Sequence, residues 1–222
     1  RVYKKDNFKP KYYVPSQAES AWRGLDGAVV GPVEFDSMRE AKQWLDQYRE
    51  VSGLKIYGHS NMIHQYITQR YPGDIVWDRD KVNVTTIDIE TAYEDGFPEP
   101  DIADQSVLAI TLKNNIDNVY RVWGMGDFDV EKSLIKPVRY IKCDDEADLI
   151  NKFLDHWSNE LHCPDVITGW NVRFFDIPYL VNRMTKITGD DKLARKMSPW
   201  GRISERNQTI MGKKHQEFII EG

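Results

Sequence analysis

Val82-Asn83-Val84-Thr85-Thr86-Ile87-Asp88-Ile89-Glu90-Thr91 decides which fold this chain can adopt. Val82, Val84, Thr85, Thr86, Ile87 and Ile89 are β-branched and favour an extended backbone. Apolar residues fall on both faces of the stretch, as expected of a strand central to a sheet. Asp88 and Glu90 interrupt it. Side chains two apart on a strand point the same way, so the two carboxylates project together. Burying two unpaired negative charges is costly, and their mutual repulsion raises a carboxyl pKa. A divalent cation relieves both costs, and hard oxygen ligands on one face suit magnesium or manganese. The alternative is that the strand ends near Ile89 and both acids are simply hydrated. For an isolated Asp-x-Glu the hydrated reading is favoured, because so short a motif is weakly specific.

Downstream, residues 106–112 and 119–123 read as two more strands, joined by the turn-prone Asn114-Asn115-Ile116-Asp117-Asn118. Together with the first strand they form a set of three linked by short turns. Residues 138–142 make a further strand. Leu149, Ile150, Phe153, Leu154, Trp157 and Leu161 recur at helical spacing and predict a helix over 145–161. Another strand covers 165–170. A helix covers 177–187, with Pro178 in its first turn and Gly189 as its stop. This order of elements matches a ribonuclease-H-like α/β layout, a likeness of architecture that does not by itself assign function.

Upstream, residues 1–79 read as a separate α+β module. Tyr12, Tyr13, Trp22, Gly24, Gly27, Gly31 and Pro32 mix aromatics with turn formers, as in short strands. Asp36 or Ser37 caps a helix running to about Val51, closed by Gly53. Residues 54–57 predict a short strand and residues 61–70 a helix. His59 and His64 read as surface or packing histidines, with no third ligand nearby. No internal repeat is present.

The second chemical constellation is Thr168-Gly169-Trp170-Asn171-Val172-Arg173-Phe174-Phe175-Asp176-Ile177-Pro178-Tyr179, at a strand-to-helix junction where open α/β sheets commonly bind ligands. Asp176 alone reads first as an N-cap, since it precedes Ile177-Pro178, and Asn171 reads as a loop stabiliser. In the layout above, the strand before Asn171 runs parallel to the one bearing Asp88, which sets Asp176 beside Asp88 and Glu90. Three carboxylates there are what a two-metal phosphodiesterase needs, with two cations about 3.5–4 Å apart stabilising the attacking and leaving oxygens.

These segments carry a resemblance. Asp88-Ile89-Glu90 with Gly96-Phe97-Pro98, and Thr168-Gly169-Trp170-Asn171 through Phe175-Asp176 with Pro178-Tyr179 and Asn182-Arg183, closely resemble the first and second exonuclease motifs of family B replicative DNA polymerases. The likeness is to the T-even-type bacteriophage subgroup and covers nearly the whole chain. Ser37-Met38-Arg39-Glu40-Ala41, Ile75-Val76-Trp77-Asp78-Arg79 and Ser198-Pro199 share it. The resemblance implies an N-terminal α+β domain over 1–79 and a ribonuclease-H-like 3′→5′ proofreading exonuclease domain over 80–222, incomplete at its C-terminal end. It implies that Asp88, Glu90 and Asp176 bind two magnesium or manganese ions. It places Asn171 beside the substrate, and Phe97 and Phe175 against a frayed single-stranded 3′ end, although core packing is an equal reading of each phenylalanine. It also makes residues 203–210, Met211-Gly212-Lys213-Lys214 and 215–220 a β-hairpin beside the site, with Lys213 and Lys214 near DNA. The family's third motif, a Tyr and an Asp, lies farther downstream than Gly222, so the expectation is a weakly metal-binding piece with little or no exonuclease activity alone. The implied partners are primer-template DNA and the palm, fingers and thumb of the same polymerase, in the cytoplasm of an infected bacterium.

Composition is compatible with this and narrows the alternatives. The 222 residues are 41% hydrophobic and 29% charged, with a net charge of −5, which describes a globular chain rather than a disordered one. No apolar run reaches the roughly 20 residues of a membrane span, and the charged, polar residues 1–10 do not form a signal peptide. The chain begins with Arg1 rather than Met, so the expectation is an end cut from a longer chain. Cys143 and Cys163 lack the paired spacing of a zinc site. A disulfide between them stays open, and a reduced cytoplasmic protein is the simpler expectation. The acidic balance disfavours nucleic-acid binding through overall charge. It leaves a local basic stretch, Lys192, Arg195, Lys196, Arg202, Arg206, Lys213 and Lys214 against Glu205 alone, readable as a solvated surface or as a phosphate contact. The competing class of function is a non-catalytic nucleic-acid-binding or structural module.

Overall fold

The computed structural model describes residues 5–94 and 96–222. The chain divides into two compact units, Val2–Trp77 and Asp78–Gly222.

In the first unit, β1 (Lys11–Pro15), β2 (Trp22–Arg23) and β3 (Val29–Glu34) form an antiparallel sheet in the order β1-β3-β2. The helix α1 (Met38–Tyr48) is capped by Ser37, whose side chain accepts the Glu40 N–H. Its Ala41 packs with Tyr12 and Phe35 into a small core, with Trp44 stacked on Tyr12 at 6.0 Å. The helix α2 (Met62–Arg70) is capped by Asn61. Residues 54–57, expected as a strand, form none. Only Tyr57 pairs, through an isolated bridge to Tyr13, because Gly53 and Gly58, both at positive φ, bound a segment too short for a ladder.

In the second unit, β4 (Val84–Thr91), β5 (Val107–Asn114), β6 (Tyr120–Gly124), β7 (Val138–Lys142) and β8 (Val166–Thr168) form a mixed sheet in the order β7-β6-β5-β4-β8. β4 pairs antiparallel with β5 and parallel with β8, with Thr86 opposite Thr168. The helices α3 (Glu146–Trp157) and α4 (Asp176–Thr188) bury Leu149, Ile150, Phe153, Leu154, Trp157, Leu180, Val181 and Met184 in one core with Ile87, Ile89, Val107, Ile110 and Leu112. Each such side chain contributes about 1.5–3 kcal/mol on burial. α3 is shorter than the expected 145–161: it stops at Trp157, and Leu161 is exposed. Gly189 ends α4 in the left-handed conformation. Neither cysteine forms a disulfide. Among the described residues no helix is long and apolar enough to cross a membrane.

Two expectations about this sheet are corrected. β4 is not apolar on both faces: Thr85, Ile87 and Ile89 are buried, whereas Thr86, Asp88 and Glu90 are exposed. The period of two sorts the strand cleanly, because both helices share a single core on one side. Nor are β4, β5 and β6 all joined by short turns. Residues 115–119 connect β5 to β6, but residues 92–106 form a long connection between β4 and β5.

That connection is held by its own Gln105 and, from α4, by Tyr179 and Arg183. Gln105 accepts the Glu94 N–H at 2.7 Å and donates its side-chain amide to the Gly96 carbonyl at 3.0 Å. The Tyr179 hydroxyl donates to the Gln105 carbonyl at 2.7 Å and accepts the Gln105 N–H at 3.2 Å. The Arg183 guanidinium, on α4, pairs with Glu146 through Nε at 2.8 Å and Nη2 at 2.7 Å. It also donates to the Ala103 and Asp104 carbonyls.

Candidate active site

The site begins where β8 ends. After Thr168 the chain leaves the sheet at Gly169, whose missing side chain matters: a Cβ there would sit 2.5 Å from the Ile87 carbonyl oxygen. The close approach lets the junction run along the upper half of β4, beyond its pairing with β8. Gly169→Ala is therefore expected to cost about 1–3 kcal/mol, the range for overpacking against an unyielding neighbour. Urea unfolding measures the loss. A stability equal to wild type would mean that the junction does not lean on β4.

Asn171 turns the chain at φ +55°, and its carbonyl accepts the N–H groups of Phe174 and Phe175 at 3.0 and 2.9 Å. The loop-stabilising role thus belongs to the Asn171 backbone, and its side chain is exposed. Phe175 occupies the N-cap of α4 without a side-chain bond, and Asp176 is the first helical residue. The N-cap alternative for Asp176 is set aside, because its carboxylate does not close its own helix. Instead Oδ1 accepts the Ile89 N–H at 3.1 Å. The third carboxylate therefore attaches to the backbone of β4 between Asp88 and Glu90.

Asp176 is 3% exposed. Burial pushes its carboxyl up to about 6. The backbone N–H groups of Ile89 and of Asp176 itself oppose the shift, and the charges of Asp88 and Glu90 add to it. Asp88 and Glu90 stand in water, as their hydrated alternative requires. Among the described residues, no three His, Cys, Asp or Glu side chains are gathered tightly enough to hold a metal ion. The chemistry of the donors nonetheless fits a hard cation. All three are carboxylates, and the buried one is penalised for carrying charge with no cationic partner beside it.

Phe97 and Phe175 meet, with ring centroids 5.6 Å apart, and Phe175 also contacts Tyr179 at 5.7 Å. Core packing does not describe Phe97, which is 69% exposed. Trp170, which sequence reasoning gives no role, is 93% exposed. It lies two residues past Thr168, the last residue of β8 to pair with β4. An indole outside any apolar periodicity is the sequence signal that marks it.

β9 (Ile203–Ile210) and β10 (Lys213–Ile220) form the hairpin. Its turn is only Met211-Gly212, both at positive φ, so Lys213 and Lys214 belong to β10 rather than to the turn. Both lysines are exposed and line a groove of about 550 Å³ with Glu99, Asp101, Phe174 and Glu205. The basic stretch upstream is neutralised in part: Lys192 pairs with Asp190 and Arg195 with Asp191. That supports the solvated-surface reading for those two residues.

A family model for the exonuclease domain of DNA polymerase family B matches residues 59–221. The chain belongs to this family. Its second unit is accordingly a family B exonuclease region of the T-even type. The chain is 29% identical over 238 residues to the DNA-directed DNA polymerase of Enterobacteria phage T4, covering 97% of this chain and 26% of that protein. It is 31% identical over 216 residues to the DNA-directed DNA polymerase of Escherichia phage RB69, covering 86% and 24%. A shorter match, 28% over 116 residues and 47% of this chain, joins it to the DNA polymerase catalytic subunit of Equine herpesvirus 2 (strain 86/87), 10% of which is covered. The chain thus spans about a quarter of the length of the phage polymerases it matches.

Proposed function

We propose that this family B exonuclease region serves, within a longer phage replicative polymerase, to remove nucleotides from single-stranded 3′ ends of DNA as its proofreading part, and that alone it is weak or inactive. The observation that carries the proposal is the buried Asp176 carboxylate bonded to Ile89 between Asp88 and Glu90. On this reading the second unit is a ribonuclease-H-like exonuclease domain and the first an N-terminal domain of the same polymerase. The longer protein would supply palm, fingers and thumb and would engage primer-template DNA.

Asp88, Glu90 and Asp176 would hold two magnesium or manganese ions. Bound there, such ions supply an activated water and offset charge on the phosphodiester as it breaks. The remaining roles belong to the chain. Asp176 must give up its proton for the site to load, and its pKa near 6 makes loading improve as pH rises through that value. Phe97 and Phe175 present a paired aromatic surface on which terminal bases can stack. Asn171 lies on the same junction beside the 3′ end, and Lys213 and Lys214 offer cations to the strand's phosphates.

Manganese titration of the purified chain, following free ion by its paramagnetic signal, tests the proposal. Wild type is expected to bind at least about tenfold more tightly than Asp88→Ala. Equal affinity for the two proteins, alongside DNA binding that responds to salt but not to the substitution, would overturn it in favour of a non-catalytic nucleic-acid-binding module.

A further inference from the structure

We infer that Arg173 is a positioning residue that locks the carboxylate-bearing junction to the β9–β10 hairpin, so that the two move as one piece. Its effect on DNA binding rests on the nuclease reading above; the mechanical coupling does not.

The junction over residues 169–175 needs an external hold. It enters α4 without a side-chain cap and turns through a left-handed asparagine. Two residues of β10, His215 and Glu217, supply that hold, and Gln216 between them ties the strand to α4. The Glu217 carboxylate accepts both Arg173 Nε at 2.6 Å and Arg173 Nη2 at 2.9 Å, the two-pronged geometry that fixes orientation as well as distance. His215 packs its ring on Phe174 at 5.0 Å, and the Arg173 guanidinium lies over the other partner of that contact, 5.0 Å from the Phe174 centroid. Gln216 accepts from the Asn182 side-chain amide at 2.6 Å, while the same amide reaches the Pro100 carbonyl at 2.8 Å. Residues 215 and 217 point to one face of the strand and 216 to the other, so β10 is gripped from both sides.

The pair is asymmetric. The Glu217 side chain is 13% exposed and Arg173 51%. Arg173 is the first cause holding the Glu217 carboxyl below the usual glutamate range. The Gln208 amide on β9 also donates to Glu217 at 2.7 Å, carrying the connection across both strands of the hairpin. Removing Arg173 would leave a sheltered carboxylate without its main partner and release the junction two residues before Phe175 and three before Asp176. Sequence gives no hint of this, since the partners are 44 residues apart.

Hydrogen exchange without DNA tests the coupling in wild type, Arg173→Gln, Glu217→Gln and the charge-swapped Arg173→Glu/Glu217→Arg. Either single change is expected to speed exchange about tenfold in both 169–176 and 203–220, and the swap to restore protection in both. Normal protection of 169–176 in Glu217→Gln, or a swap no better than the single changes, would overturn the inference. Affinity for a short 5′-fluorescein-labelled oligothymidylate, read well below the melting temperature, is expected to fall several-fold in the single variants and return in the swap. A pair that only stabilises the fold would lower the melting temperature and leave that affinity unchanged, which would equally overturn a positioning role. Failure of the nuclease reading shows elsewhere, as equal manganese binding by Asp88→Ala and wild type, and leaves the exchange result standing.

Discussion

Asp176→Asn is expected to make the chain more stable at pH 7.5 by up to about 3 kcal/mol and to change it little at pH 4. The folded carboxyl holds its proton up to a pH of about 6, against 3.8 for the ordinary group. Stability from the protonated group is fully present below 3.8 and is lost as pH rises through 6, where the buried site must accept a charge that the unfolded chain carries freely. Asparagine has no charge to accept, and its side-chain oxygen can still receive the Ile89 N–H. The side chain is 3% exposed, so water screens little of the effect. Urea unfolding at the two pH values gives the comparison. A gain of equal size at both would trace it to packing rather than ionisation. The same substitution should abolish whatever manganese affinity depends on Asp176, so the position would exchange function for stability.

Arg183→Ala is expected to cost about 3–5 kcal/mol, the range for breaking a buried pair by removing one partner. Burial works to raise the Glu146 carboxyl, but the Arg183 guanidinium and the Val107 N–H overcome it, and the net pKa is lowered. Without Arg183 that carboxylate stays sheltered, and the carbonyls of Ala103 and Asp104 lose their donor. Because the same guanidinium holds the connection that carries Phe97, faster exchange over residues 96–106 should accompany the loss. Replacing both partners, Glu146→Leu with Arg183→Met, should cost less than either single polar-to-apolar change. If the double variant is the least stable of the set, the pair stabilises through more than mutual neutralisation.

What could be read from the chain beforehand was local. The β-branched run of β4, the apolar stripe of α3 and the Pro-then-Gly bounds of α4 each announce themselves within a dozen residues, and all three elements form. The meeting of Asp176 with β4 was legible only through topology, since the two are 87 residues apart. Local chemistry alone favoured an N-cap. The long connection over residues 92–106 is not legible because it carries no periodicity: Gln105 ties it within itself, and Tyr179 and Arg183 hold it from 74 and 80 residues away. Exposed Phe97 and Trp170 were legible as aromatics and not as surface, because residue type does not report what lies opposite.

β8 has only three residues. Its brevity leaves the Ile89 amide proton without a neighbouring carbonyl, and the acid from α4 takes that proton as its anchor. Lengthening the edge strand past Thr168 would let sheet pairing compete for the amide and evict the acid from its berth. In this architecture, where a ladder stops determines where an ionisable group can shelter, so insertions and deletions around Gly169 should be more damaging than the chemistry of the inserted residues would suggest.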